Sequence, residues 1–236
     1  MSEENQLLTR WRQVCAQLDA SASQCGRDPA SVRLLAVSKQ HAAETIRVLA
    51  RAGQLDFGES YVQEAQQKQV SLNDLTLTWH FIGQIQSNKT RLIAEHFQWV
   101  HTVDRLKHAI RLNEQRPAHR GPLQICIQVK LVEEAGKGGI WPEQVADLAK
   151  AIQPLSQVTL RGLMCIPPPL SDPAAQLAQF QRMAVLMQEL NEQGLSLDTL
   201  SMGMSDDYPA AIAAGATLIR IGTAIFGTRK QKHEEQ

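Results

Sequence analysis

Eight short β-rich runs alternate with amphipathic helical stretches along this chain, and that alternation limits the fold more than any other feature. The runs are "RLLAVSK" (33–39), "LDFGES" (55–60), "TWHFIG" (78–83), "WVHTVD" (99–104), "LQICIQVK" (123–130), "LRGLMCI" (160–166), "TLSMGMS" (199–205) and "LIRIGTAIFG" (218–227). Between them lie stretches such as "HAAETIRVLARAG" and "PEQVADLAKAI", which carry helical periodicity or strong helix formers. Strands alternating with helices predict a parallel sheet, and eight of them favour closure into a barrel. An open doubly wound sheet is the competing arrangement. Its G-x-G-x-x-G turn after the first strand is absent, and "SKQ" stands in that place. The expected fold class is α/β, a single (β/α)8 TIM barrel domain over residues 1–236 with an extra N-terminal helix. Leu7, Leu8, Trp11, Val14, Cys15 and Leu18 fall at helical spacing, and Gly26 follows as a stop. Residues 1–28 are assigned to that helix, which is expected to cover the barrel bottom or pack beside it, and residues 229–236 to a short charged tail.

Composition narrows the partners. Twenty-four basic side chains balance 24 acidic ones, so no general charge draws the chain to nucleic acid or an acidic membrane. Aromatics are 5%, too few for a base-stacking platform. None of Cys15, Cys25, Cys126 and Cys165 is spaced as C-x-x-C, which reads as reduced thiols. The start "MSEENQLLTRW" lacks the apolar core of a signal peptide, and no apolar run reaches membrane-spanning length. The expectation is a soluble cytoplasmic protein.

In such a barrel, functional groups gather at the C-terminal ends of the strands. Lys39 ends the first strand, on the face shared by Leu35 and Val37. If that face looks inward, the amine enters the barrel mouth. Loss of hydration there disfavours the ammonium, and a neutral amine can attack an aldehyde to form a Schiff base. The plain alternative is a strand-end lysine reaching to solvent. Barrels commonly hold phosphate with the loops after strands seven and eight, here "GMSDD" (203–207) and "GTAIFGT" (222–228). Ser205 stands at a helix start, where open N–H groups favour an anion. Gly222 permits close backbone approach and Thr223 adds a hydroxyl. An ordinary N-cap and an ordinary turn remain the competing readings. Asp206 and Asp207 are expected to point away from the pocket, toward the helix dipole. Arg220 sits in an apolar strand and needs partners. It either pairs with a carboxylate in the barrel or donates to a ring nitrogen of a ligand held by Lys39 and the phosphate loops.

The stretches "LLAVSK", "FGESYVQE", "WHFIGQIQSNK", "GLMCIPP", "LSMGMSDD" and "RIGTAIFG" resemble the pyridoxal phosphate homeostasis proteins, in order and over nearly the whole chain. The resemblance implies a barrel similar to the N-terminal domain of alanine racemase, with pyridoxal 5′-phosphate (PLP) as the cofactor. It implies that Lys39 holds PLP as a Schiff base, that Ser205, Gly222 and Thr223 meet the phosphate, that Arg220 meets the pyridine nitrogen, and that Met204 lies close by. Where the family usually reads G-E-N-Y-V, this chain has Gly58, Glu59, Ser60, Tyr61 and Val62, so the contact made there falls to the shorter Ser60.

The resemblance also implies vitamin B6 homeostasis without catalysis. An arginine at the pyridine nitrogen can only donate and weakens the electron sink that PLP enzymes use. Racemases of the related fold add a tyrosine from a further domain and a partner subunit. This chain ends nine residues after Gly227, and Tyr61 and Tyr208 are both read at helix starts. The expected partners are PLP and PLP-dependent apo-enzymes, with no nucleic acid and no membrane, and the chain is expected to be a monomer. The alternatives are a PLP-dependent racemase or decarboxylase, a Schiff-base aldolase without PLP, and a barrel that only scaffolds partners. His80 is read as a hydrogen-bonded core histidine, Asn88 and Lys89 as a solvated first helical turn, and "IPPPLSDP" (166–173) as a stiff rim. Lys137, in "EAGKGGIW" (134–141), is a loop lysine with a possible second role in PLP capture. The seven histidines show no zinc spacing.

Overall fold

The structure is a computed structural model and describes residues 2–133 and 138–227. Lys137 and the charged tail lie outside the described residues. Eight parallel strands close into a barrel in chain order. They are β1 (Arg33–Val37), β2 (Asp56–Glu59), β3 (Thr78–Phe81), β4 (Trp99–Val103), β5 (Leu123–Gln128), β6 (Val158–Met164), β7 (Thr199–Ser201) and β8 (Leu218–Ile221). Closure joins β1 to β8, with Leu35 opposite Arg220 and Ala36 opposite Ile221. The expected (β/α)8 TIM barrel is present; seven of the eight predicted runs contain their strand whole, and β6 begins at Val158, two residues ahead of the sixth run.

Helices α2 (Ala43–Arg51), α3 (Val62–Ser71), α4 (Thr90–His96), α5 (Leu106–Gln115), α6 (Pro142–Ile152), α7 (Pro173–Glu192) and α8 (Tyr208–Ala213) follow the first seven strands in turn. Helix α1 (Glu3–Gln24) opens on Ser2, whose side chain accepts from the Asn5 N–H at 3.3 Å. It buries Leu7, Val14, Leu18 and Ala22, one stripe of an amphipathic helix. That stripe faces α2, α8 and the short α9 (Thr223–Phe226), so α1 packs beside the barrel. The sequence pattern predicts one β-rich stretch over 218–227. The strand stops at Ile221, and the Gly222 carbonyl accepts from the N–H groups of Ile225 and Phe226, which turns Thr223–Phe226 into α9.

Strand alternation separates two interiors. Outward-facing Phe57, Phe81 and Val100 pack with Ile46, Ile93 and Phe97 of the helical layer, all essentially inaccessible. Each such side chain stabilises the fold by roughly 1.5–3 kcal/mol. Inside the barrel a smaller apolar cluster joins Trp99, Cys126 and Met164, with Ile166 against it. Trp99 lies toward the barrel floor, its ring flanked by the guanidinium groups of Arg33 and Arg161, each 5.2 Å from the centroid. Arg116 is a second fastening. It is buried and donates to the carbonyls of Ala94 (2.6 Å), Phe97 (2.7 Å) and Gly121 (2.8 Å), closing the end of α4. Among the described residues no helix is long and apolar enough to cross a membrane, and no cluster of three His, Cys, Asp or Glu is placed to hold a metal.

Candidate functional site

At the C-terminal end of the barrel lies a cavity of about 560 Å³, within the range of small-molecule sites. Closure brings its chemistry together: Lys39 from the turn just after β1, which stops at Val37 and not at Lys39 as expected, Met204 and Ser205 from the turn after β7, Arg220 from β8, and Gly222 and Thr223 from the turn after β8. Val37 lines it as well, so the face shared by Val37 and Lys39 does look inward. Ile82, Met164 and Ile166 supply apolar wall, and His41 enters from the loop after β1, stacked on Phe226 at 4.7 Å.

Lys39 owes its place to groups behind the strand. Glu59 alternates outward from β2 and is completely buried. Its Oε1 accepts from Ser38 Oγ at 2.6 Å and from Lys68 Nζ at 2.6 Å. Lys68 also donates to the Ser38 carbonyl (2.8 Å) and to Glu64 Oε1 (2.6 Å). Glu64 Oε1 in turn accepts from the Gln40 N–H at 2.5 Å. Gln40 has φ 64°, the left-handed region, which this bond helps hold. The residues on both sides of Lys39 are thus tied to one buried ion-pair network. Burial pushes the Glu59 carboxyl above its usual range, against the opposing pull of Lys68 and Ser38.

The turn after β7 is equally constrained. Gly203 has φ +92°, and an added Cβ would stand 2.6 Å from the Ala211 Cβ, so glycine is required there. Asp207 turns back to accept from the Met204 N–H at 2.6 Å, and burial raises its carboxyl. It points away from the cavity as expected, but Asp206 does not: it lies, exposed, in the cavity lining. Ser205 is no N-cap, because α8 begins at Tyr208 behind Asp207. At the neighbouring turn, a Cβ on Gly222 would crowd the Val37 carbonyl at 3.2 Å, so this backbone too sits close to the wall. The first N–H groups of α9 have no acceptor within the helix.

Arg220 is buried, and among the described residues it forms no carboxylate pair. Its Nη1 donates to Ser201 Oγ (2.9 Å) and its Nη2 to the Cys165 carbonyl (2.8 Å). Two of five donors are so used, and the guanidinium lines the cavity. Burial lowers its pKa from the ordinary arginine value.

Ser60 stands apart from the other six residues. It is half-buried at the end of β2 and does not line the cavity; its carbonyl is packed so closely against Gly83 that any side chain on Gly83 would collide with it. Asn88, Lys89, Tyr61 and Tyr208 are likewise outside the lining. His80 is the core histidine expected, bonded to His101 and Asp56. Sequence reasoning did not single out Ser38, Lys68, His101 or Ser201. The only local signal was the presence of Lys68 and His101 on faces that helical or strand spacing turns inward.

An inward lysine, a cationic donor and two tight backbone turns around one cavity define a (β/α)8 barrel of the alanine racemase N-terminal-domain class, and a match to that domain spans residues 10–230. The chain belongs to the pyridoxal phosphate homeostasis protein family. It is 58% identical over 216 residues to the Pseudomonas aeruginosa pyridoxal phosphate homeostasis protein, covering 92% of this chain and 93% of that one. It is 48% identical over 228 residues to the Escherichia coli protein of that name, covering 95% and 97%. Among solved structures, PipY from Synechococcus elongatus with PLP bound superposes with a TM-score of 0.79 at 43% identity, over 89% of this chain and 99% of that one. Alanine racemase from Clostridium difficile shares the fold, with a TM-score of 0.70 at 15% identity.

Proposed function

We propose that this protein binds PLP as a Schiff base on Lys39 and serves the cell's vitamin B6 economy by buffering or delivering the cofactor, without turning over a substrate. The observation that carries this reading is the convergence of Lys39, Arg220 and the turns at Ser205 and Gly222 on one 560 Å³ cavity. The donor set fits the cofactor: an amine for the aldehyde, a fixed cationic donor for the ring nitrogen, and open backbone N–H groups at a glycine turn for the phosphate. The naming of the relatives and the bound PLP of PipY support it.

The roles follow from the residues. Lys39 is the attachment point. Thr223 and the backbone of Gly222, with Ser205, would hold the phosphate, and Ile82 and Met204 would supply apolar wall beside the cofactor. Bound PLP supplies an electrophilic aldehyde and an electron-accepting ring. Arg220 donates to the ring nitrogen and cannot protonate it, which weakens that ring as an electron sink. No tyrosine lines the cavity to exchange a proton across it. Asp206 on the rim opposes a phosphate and favours its release.

Borohydride treatment after incubation with PLP, followed by peptide mass spectrometry, tests the reading. The expected result is a protein that turns yellow with PLP, is bleached by borohydride and then carries the reduced adduct on Lys39, and a Lys39→Ala variant that never shows the near-visible absorbance. A protein that stays colourless with PLP, or an adduct confined to other lysines, refutes it. Exchange of α-deuterium from amino acids by the loaded protein would refute the non-catalytic part alone.

A further inference from the structure

A chain of polar side chains runs through the barrel interior beneath Arg220. Ser201 Oγ, which accepts from Arg220 Nη1 at 2.9 Å, lies 2.8 Å from His101 Nδ1. His101 Nε2 lies 2.9 Å from His80 Nδ1, and His80 Nε2 lies 2.8 Å from Asp56 Oδ1. The path visits β8, β7, β4, β3 and β2 and ends at the barrel floor, where Asp56 is partly exposed and 4.0 Å from Arg33. Ser201, His101 and His80 are wholly inaccessible.

The bonds have only one consistent direction. A guanidinium donates and never accepts, so Ser201 receives from Arg220. Among the described residues, the serine proton then has a single acceptor, His101 Nδ1. That nitrogen is bare, and the His101 proton is on Nε2, pointing at His80 Nδ1. His80 is therefore also protonated on Nε2 and donates to Asp56. Both rings are neutral in this order. On His101, burial, the neighbouring His80 and the cations Arg220 and Arg33 act against a second proton; on His80, burial does so and outweighs the opposing pull of Asp56. Donation thus begins at a cation and finishes at an anion, the polarity that strengthens each link.

We infer that Ser201, His101, His80 and Asp56 are positioning residues for Arg220, a one-way hydrogen-bond chain that fixes the guanidinium so that its uncommitted N–H groups face the cavity. The chain reaches the ligand only through Arg220, so a change at the floor alters the cavity without touching it. The ligand's identity rests on the reading given under Proposed function; the donor order does not.

Two measurements decide it. Long-range ¹H–¹⁵N spectra of the histidine rings in the PLP-free protein should show His80 and His101 neutral, each with a bare Nδ1, at neutral pH. A proton on Nδ1 of His101, or a doubly protonated ring, overturns the inference. A double-mutant cycle on PLP dissociation supplies the second. Ser201→Ala should weaken PLP about tenfold, the worth of one hydrogen bond to a charged group, and Ser201→Thr, which keeps the hydroxyl, should restore it. Asp56→Asn should weaken PLP about threefold in the native background, since a charge-assisted link becomes a neutral one. It should have no further effect once Ser201→Ala has cut the chain. Additive effects, the behaviour of independent sites, overturn the inference. A wild type that binds no PLP refutes the proposed function instead, and the ring protonation then decides the chain by itself.

Discussion

Replacing Lys68 by methionine tests the network behind Lys39. The ammonium makes three bonds, at 2.6 Å to Glu59, 2.6 Å to Glu64 and 2.8 Å to the Ser38 carbonyl. Glu59 is fully buried, and its Oε2 already lacks a partner among the described residues. Methionine would leave that carboxylate with Ser38 Oγ as its one donor. Removing one member of a buried pair costs about 3–5 kcal/mol, which for a chain of this size lowers Tm by about 6–20 °C. The loss must depend on pH. Glu59 is held above its usual range by burial, so its contribution to stability is complete at low pH and declines as pH rises through the folded-state value. Without Lys68 that value rises further, and the penalty shrinks on acidification because a protonated Glu59 needs no counter-ion. Chemical denaturation at about pH 7.5 and about pH 5 measures both terms, and Glu59→Gln with Lys68→Met should recover most of the loss. A penalty below about 1 kcal/mol, the level of a surface pair, or one equal at the two pH values, would refute the reasoning.

Other perturbations follow from the same coordinates. Arg116→Met strips donors from two carbonyls at the end of α4 and from that of Gly121 before β5, and should cost about 2–4 kcal/mol by urea unfolding; an unchanged midpoint would contradict the fastening role. His101 is held well below its usual value by burial, so the unfolded chain binds the extra proton first and stability falls as pH drops below about 6.5. A His101→Gln variant should flatten that slope by up to about 1.4 kcal/mol per pH unit, and an undiminished slope would assign it to other groups. Gly203→Ala forces a side chain into φ +92° against Ala211 and should destabilise by about 1–3 kcal/mol in thermal melts; no shift in Tm would show that the turn relaxes freely.

Periodicity and residue type are local properties, and they carried a large share of this protein. Runs such as "TWHFIG" and "WVHTVD" announce strands by composition, "PEQVADLAKAI" announces a helix by spacing, and their alternation leads to the barrel. Lys39, Ser205, Arg220, Gly222 and Thr223 were legible because a lysine or arginine ending an apolar strand, and a glycine turn after one, are conspicuous in the chain itself. Only the tertiary structure decided who meets whom. Strand closure sets Leu35 opposite Arg220 and so brings residues nearly two hundred positions apart to one cavity. It carries His101 to Ser201 across the interior, leaves Ser60 outside the lining and puts Asp206 in it. A side chain's partners depend on register and twist summed around the whole ring, and no window of sequence shorter than the barrel contains that sum.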